Sequence, residues 1–463
     1  MAILSKKNNI SILKLLAVIF IGITFFLSKN DAQSQWKVQT RDSLYNFNGV
    51  YFVNVYTGWV SGSNGKIFKT TNGGYNWFQQ LSNSPANNLQ RIQFPQPSTG
   101  YNSTVGYMVG YVDNNSPQAA VLLETTDGGY IWQNVLTRNY FYWKDVFFFN
   151  NFTGFFVGAR DSTSSTGYIM KTTTGGIGAG MVYEESSFNY GVFKSVSFVN
   201  VNTGYASATD SNKNSTILKT LNAGGDWFVA STLPNVDIRQ MSFLKNQSQV
   251  GFAVGGGYNG TGAKILKTTN GGVNWTIQTF GMDGNYFNGI SVYYDPVRLR
   301  YRIWVCGENG NVYNSTNVGV TWYKQQPPFQ YSQNMNAISF VSLDVGWAAG
   351  NSGSVITTYT GGDSVSAVNV ISNNVPDKFA MSQNYPNPFN PETKIRFSVP
   401  VSSDVKIVVY NSLGKIVNEI VDSRLQAGEY ETNFNASGLP SGIYFYTIRS
   451  GTFFKSMKML LVK

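Results

Sequence analysis

The 463-residue chain has no histidine and a single cysteine, Cys306. A lone cysteine excludes an intramolecular disulfide framework. Without histidine, zinc sites of the usual ligand types and histidine-based triads are excluded. Cys306 lies in the apolar run RIWVCG and reads as a buried thiol, with no histidine to activate it as a nucleophile. Charge is also scarce, at 13% Asp, Glu, Lys and Arg. The formal net charge is +10, of which Lys6, Lys7, Lys14 and Lys29 against Asp31 place +3 in residues 1–34. The remainder is scattered without a Lys/Arg block, so a nucleic-acid-binding face is not expected. Beyond the first thirty residues there are no long Ala/Glu/Lys/Leu stretches. The chain has instead 47 glycines and 15% aromatics, the composition of short strands and tight turns. The mature chain reads as all-β.

Residues 1–34 have the form of a secretory signal peptide. Lys6, Lys7 and Lys14 precede an apolar run, Leu15–Leu27, and Ala32 and Ser34 stand at the −3 and −1 positions of a cleavage site before Gln35. Thirteen helical residues span about 20 Å, short of the ~30 Å hydrocarbon core, which favours cleavage over anchoring.

Residues 35–365 repeat. KIFKTTNGGYNW (Lys66–Trp77) recurs as KILKTTNGGVNW (Lys264–Trp275), and looser copies follow T/S-x-N/D-x-G-x-x-W. The copies are Thr70, Asn72, Gly74, Trp77; Thr125, Asp127, Gly129, Trp132; Thr220, Asn222, Gly225, Trp227; Thr268, Asn270, Gly272, Trp275; and Ser315, Asn317, Gly319, Trp322. Two degenerate copies lack the tryptophan: Thr172, Thr174, Gly176 and Thr358, Thr360, Gly362. In each box the short polar side chain accepts backbone N–H groups of the turn and glycine supplies positive φ. The tryptophan starts the next strand and packs between sheets. Upstream of four copies stand YFVNVYTGWVSG, FFFNNFTGFFVG, SFVNVNTGYASA and SFVSLDVGWAAG, each a strand, a turn at T-G or V-G, and a strand. Seven units of about four strands, at roughly 45–55 residues each, point to a seven-bladed β-propeller. The seventh unit lacks its last strand, whereas WKVQ (Trp36–Gln39) resembles the strand after each box. Trp36–Gln39 is therefore expected to complete the last blade and close the ring.

These repeats resemble Asp-box propellers and, in phrasing, photosystem II assembly-factor-like propellers. The resemblance is specific for fold and weak for function. Asp boxes also occur in sialidases and in xyloglucan-type glycoside hydrolases. Such an enzyme would need two facing carboxylates. Asp145 in YWKDVFF is the best-placed acid; Asp237, Asp344, Glu184, Glu185 and Glu308 are the others of note. Arg298, Arg300 and Arg302 alternate in RLRYR, so one face of that strand could be basic. No catalytic set assembles from these residues, and no metal or cofactor is called for.

Residues 366–378 read as a polar linker. Residues 379–463 hold Val/Ile/Tyr runs split by S-L-G, A-G and S-G turns, read as antiparallel strands of a small β-sandwich. They open on QNYPNPFNP, whose prolines forbid helix. Asn384, Tyr385, Pro386, Asn387, Pro388, Phe389, Asn390, Gly414, Gly428, Gly442, Tyr444 and Lys458 carry a close resemblance to the type A C-terminal sorting domain of the type IX secretion pathway. That resemblance implies handling by the type IX machinery, passage through the periplasm, and release or attachment to surface lipopolysaccharide. The expectation is a secreted or cell-surface, non-catalytic propeller with a protein or glycan ligand. A secreted glycoside hydrolase and a photosystem-assembly-factor-like chaperone are the alternatives.

Overall fold

The computed structural model describes residues 36–462, apart from 41–43, 85, 87, 96–103, 113–118, 161–164, 176–182, 246, 258–261, 279–283, 326, 328–332, 363–368, 373–374, 426 and 437–438. The signal-peptide residues, Ala32 and Ser34 among them, and Gly176 lie outside the described residues. Two compact units divide at Gly362.

The first unit holds seven antiparallel meanders, in which each strand pairs with the next along the chain. Their first, inner strands are Phe47–Phe52, Asn88–Gln93, Tyr142–Phe148, Val192–Phe198, Val236–Leu244, Phe287–Asp295 and Met335–Phe340, and they number blades 1 to 7. Each inner strand lies against the inner strands of both neighbouring blades, and blade 7 lies against blade 1, so the sheets form a closed ring. Closure is made by strand Lys37–Thr40, which pairs antiparallel with Val355–Thr358 as the outer strand of blade 7. This is the strand expected from Trp36–Gln39. Blade 2 departs from four strands: Leu81–Ser82 adds a parallel fifth beside Ile131–Trp132.

The core explains the T-G and V-G signals. In six blades a buried phenylalanine stands at or next to the end of the inner strand: Phe52, Phe94, Phe148, Phe198, Phe243 or Phe340. Each ring stacks on an aromatic of the preceding blade's second strand. The centroid distances are 3.5 Å for Phe52 on Trp347, Phe148 on Tyr107 and Phe340 on Trp304, and 3.9 Å for Phe94 on Trp59. They are 3.8 Å for Phe243 on Tyr205 and 4.4 Å for Phe198 on Phe155. The other side of each ring covers a glycine: Gly58, Gly106, Gly154, Gly204, Gly251 or Gly346. A Cβ there would come within 2.3–2.6 Å of the ring. The glycine is a packing requirement, and the turn itself is made by Asn54, Asn150 and Asn200, each accepting two backbone N–H groups through Oδ1. The box tryptophans then meet these rings edge-on: Trp77 on Phe52, Trp132 on Phe94, Trp227 on Phe198 and Trp275 on Phe243. Trp36 takes the same place against Phe340, at 5.9 Å and 88°. Ring closure therefore repeats the blade core as well as the strand pairing.

The second unit holds two four-stranded antiparallel sheets. One orders as 369–372, 428–435, 392–399 and 380–381, the other as 416–425, 403–411, 442–450 and 453–461. Their apolar faces share one core that includes Phe389, Ile395, Ile407, Tyr430, Phe434, Tyr446 and Met459. Strand Asn369–Ser372 lies within the segment read from sequence as linker, and it pairs with Gly428–Asn435.

Candidate functional site

The ring encloses a cavity of about 460 Å³, walled by the inner strands of all seven blades. Every inner strand has a bulge at the same level, at Asn48, Gln90, Lys144, Lys194, Arg239, Asn288 and Asn336. A bulge turns the strand and re-aims its side chains. At the bulge level the channel is crossed by Arg91 of blade 2. Its guanidinium donates to the carbonyl of Asn288 at 3.1 Å and to those of Asn48 and Asn336 at 3.4 Å, on blades 6, 1 and 7. The cavity lies beyond this bar, toward the turns that follow the inner strands, and its wall reaches Val53, Lys245 and Val341 there.

The inner strand of a blade is also a sheet edge, with N–H groups that its own sheet leaves unpaired. In six blades a side chain of the preceding blade reaches one of these. Gln93 accepts from Phe148 N–H, Asp145 from Val196, Ser195 from Met241, Gln240 from Ile290, Ser291 from Phe340 and Ser339 from Phe52, all within 2.6–3.2 Å. Tyr51 Oη completes the circuit by donating to the Phe94 carbonyl at 2.8 Å. Gln93, Asp145, Gln240, Ser291 and Ser339 of the channel wall are therefore latches between blades.

Among the described residues, Asp145 is the one carboxylate in the cavity wall. It is buried, and it accepts the Val146 and Val196 N–H groups at 3.0 Å. Burial holds its carboxyl above the ordinary aspartate range, against the opposing pull of the Arg91 charge and these donors. The other acids stand elsewhere. Asp237 is buried beside Lys194 of blade 4, Glu184 and Glu185 pair with Lys171 and Arg138, and Glu308 accepts the Asn285 N–H. The described cavity wall thus lacks the facing carboxylate pair of a glycosidase.

The expected basic face of RLRYR does not form. Residues 296–299 are a turn, so Arg298 precedes the strand and pairs with Asp295. Arg302 is buried and donates to the carbonyls of Leu343 and Gly361 in blade 7. Cys306 is fully buried, and desolvation pushes its thiol up to about 12.

The boxes take the geometry their residue types imply. Thr70 Oγ1 accepts the Gly74 N–H at 2.9 Å and donates to Asn72 Oδ1, which accepts the Asn76 N–H. The pattern recurs at Thr125–Asp127–Gly129, Thr268–Asn270–Gly272 and Ser315–Asn317–Gly319. In the copy at Thr220 the residue bonded to the threonine is Gly224, at φ +78°, and Gly225 follows it. Thr358 keeps the bond to Gly362 although its asparagine is replaced by Thr360. Where a lysine precedes a box, it also has a task in three blades. Lys69, Lys219 and Lys267 donate to the box carbonyls of the next blade at Gly128, Gly271 and Val318.

In the second unit Asn384 is buried and ties the entry segment together. Its N–H donates to Tyr446 Oη, and its amide donates to the Pro386 carbonyl and Thr393 Oγ1. Asn387 Oδ1 accepts the Leu460 N–H, and Phe389 exchanges backbone bonds with Leu460 and Val462. Tyr444 donates to the Pro440 carbonyl, while Gly414 and Gly442 sit at φ +76° and +155°. Gly428 pairs with Val399, and the Lys458 carbonyl accepts from Gln383. Tyr385 is exposed, so the N-Y-P-N-P-F-N segment is a staple with one outward ring.

Sequence reasoning missed Arg91. Aligning the inner strands places Gly49, Arg91, Asp145, Ser195, Gln240, Gly289 and Ala337 at one repeat position, immediately after the bulge. One arginine and one aspartate among small and neutral residues was the available signal.

Residues 383–463 match the family model described as secretion system C-terminal sorting domain, and residues 27–141 match the model described as photosynthesis system II assembly factor YCF48. No curated protein matches the sequence. Among solved structures, YCF48 from Cyanidioschyzon merolae is similar at 18% identity and TM-score 0.51, over 70% of this chain and 98% of that one. A structure titled YCF48 bound to D1 peptide is similar at 17% identity and TM-score 0.50, over 71% of this chain and 97% of that one. Likeness at this identity shows the fold alone. The chain is thus a β-propeller of the fold seen in YCF48, ending in a type IX secretion C-terminal sorting domain, a tail that implies secretion across the outer membrane.

Proposed function

We propose that this protein is a secreted, non-catalytic binding propeller. The type IX machinery delivers it outside the outer membrane, where it is attached to surface lipopolysaccharide or released. The observation that carries the non-catalytic reading is the cavity wall, where the lone described carboxylate, Asp145, is committed to holding blades 3 and 4 together. A glycosidase needs two carboxylates about 5–9.5 Å apart, and that weighs against the hydrolase alternative. The solved YCF48 propeller bound to a peptide supports a binding role for such a ring. A photosystem-assembly role is disfavoured by the sorting tail, which sends the chain outward. The residues proposed to carry the sorting signal are those of the Asn384–Asn390 staple with Gly414, Gly428, Gly442, Tyr444 and Lys458.

The test has two arms. In the producing bacterium, deleting residues 379–463 should leave the propeller in the periplasm, while the full chain reaches the surface or medium; equal export of both would refute the delivery route. The full chain should also bind at least one component of an array of surface proteins and glycans. Binding to none of them, or turnover of a glycan, would refute the non-catalytic binding role.

A further inference from the structure

The turns after the inner strands and the box turns lie together at one end of the ring. In blade 1 the Gly73 N–H donates to the Tyr56 carbonyl, and in blade 3 the Gly175 N–H donates to that of Phe152. Gly361 does the same to Asp344 in blade 7. On this face blades 7, 1, 2 and 3 expose rings where most globular surfaces carry polar tips. Tyr75 is 72% exposed, Tyr56 65%, Tyr130 and Phe152 61%, and Tyr359 40%. Blades 4 to 6 carry aliphatic residues instead, among them Val201, Leu221, Val273 and Val320. The rings therefore form an arc over four consecutive blades.

The arc is pre-organised. The boxes fix Tyr75 and Tyr130 from behind, and the Lys69 ammonium sits 3.8 Å from the Tyr130 ring centroid. Rigid tyrosines give contact area at low entropic cost. Their surroundings are amides and hydroxyls, as in VNVYT, TNGGYN, FNNFT and YTGG. Among the described residues of these turns, the charged ones are Asp127 and Asp344, and Asp127 is occupied by Thr125 and the Tyr130 and Ile131 N–H groups. Protein-binding patches use aromatic rings too, but together with Arg and Met and around a contiguous apolar centre; here separate rings alternate with neutral hydrogen-bonding groups. That alternation matches a neutral sugar chain, whose C–H faces stack on rings while its hydroxyls meet amides.

We propose that the aromatic arc Tyr359–Tyr75–Tyr56–Tyr130–Phe152 binds an uncharged polysaccharide laid across blades 7, 1, 2 and 3. This rests on the binding role proposed above and names its ligand class and face. The test is affinity electrophoresis of the full chain in gels containing mixed-linkage β-glucan, xyloglucan or galactomannan, with hyaluronan as the anionic comparison. At least one neutral polymer should retard the protein. Tyr75→Ala and Tyr130→Ala should each weaken that binding by about tenfold or more, a difference of roughly 1.4 kcal/mol. Val273→Ala should leave it within about twofold, and unchanged melting curves would show that the variants fold. Retardation by hyaluronan alone, by no polymer, or equally in the tyrosine variants would overturn the proposal. If the protein array then finds a partner, the binding role stands and only its glycan assignment falls.

Discussion

At the scale of single residues, the glycines separate into those that need space and those that do not. Gly224 has φ +78°, and a Cβ there would meet Phe155 at 2.5 Å, whereas a Cβ on Gly225 would meet the Asn222 side chain at 3.2–3.4 Å. Gly224→Ala should destabilise the propeller by about 1–3 kcal/mol through crowding and backbone strain, and Gly225→Ala by under about 0.5 kcal/mol. Urea midpoints of the two variants check this, and equal losses would contradict it. Asp145 makes a second prediction. Its folded-state pKa is raised, first by burial. Unfolded aspartate titrates near about 3.9. Above that pH the folded protein holds the proton more tightly than the unfolded chain, so stability falls as pH rises until the folded pKa is passed. The wild type should therefore lose stability relative to Asp145→Asn as pH rises from about 4 toward neutrality. Urea midpoints that stay parallel over that range would contradict the burial of this carboxyl.

At the scale of the element, the blades were legible because each repeat writes its own turn chemistry. The boxes could be read from Thr, Asn and Gly alone, since their hydrogen bonds are local. What lay hidden was non-local. Phe52 stacks on Trp347, nearly three hundred residues away, so the glycine after the turn looked like a turn former when it is the floor under a ring. Arg91 likewise reaches blades 6, 1 and 7, and no local pattern announces such a bond. The RLRYR alternation misled because a four-residue turn interrupts it. The strand of blade 7 supplied from the N-terminal end was readable from its tryptophan. Trp36 is fully buried against Phe340. Trp36→Ala should cost about 3–5 kcal/mol. It should also let limited proteolysis begin in blade 7, which peptide mapping would locate; first cuts in blade 4 instead would contradict a closure role.

At the scale of the whole molecule, the ring and its tail divide the work. The ring supplies a rigid frame in which one end of the channel is barred by Arg91 and the other presents a cavity and ringed turns. The tail supplies the route outward. Both the blind channel and the fixed arc depend on the seven sheets being closed, because an open ring would let blade 7 part from blade 1. It would also break the Ser339 bond to Phe52 and the stack on Trp347. Hydrogen exchange followed by mass spectrometry reads that closure directly. The Lys37–Thr40 amides that pair with Val355–Thr358 should be protected from exchange, while the alternate ones on that outer edge exchange faster; exchange of every Lys37–Thr40 amide at the rate of an unstructured peptide would contradict the closed ring.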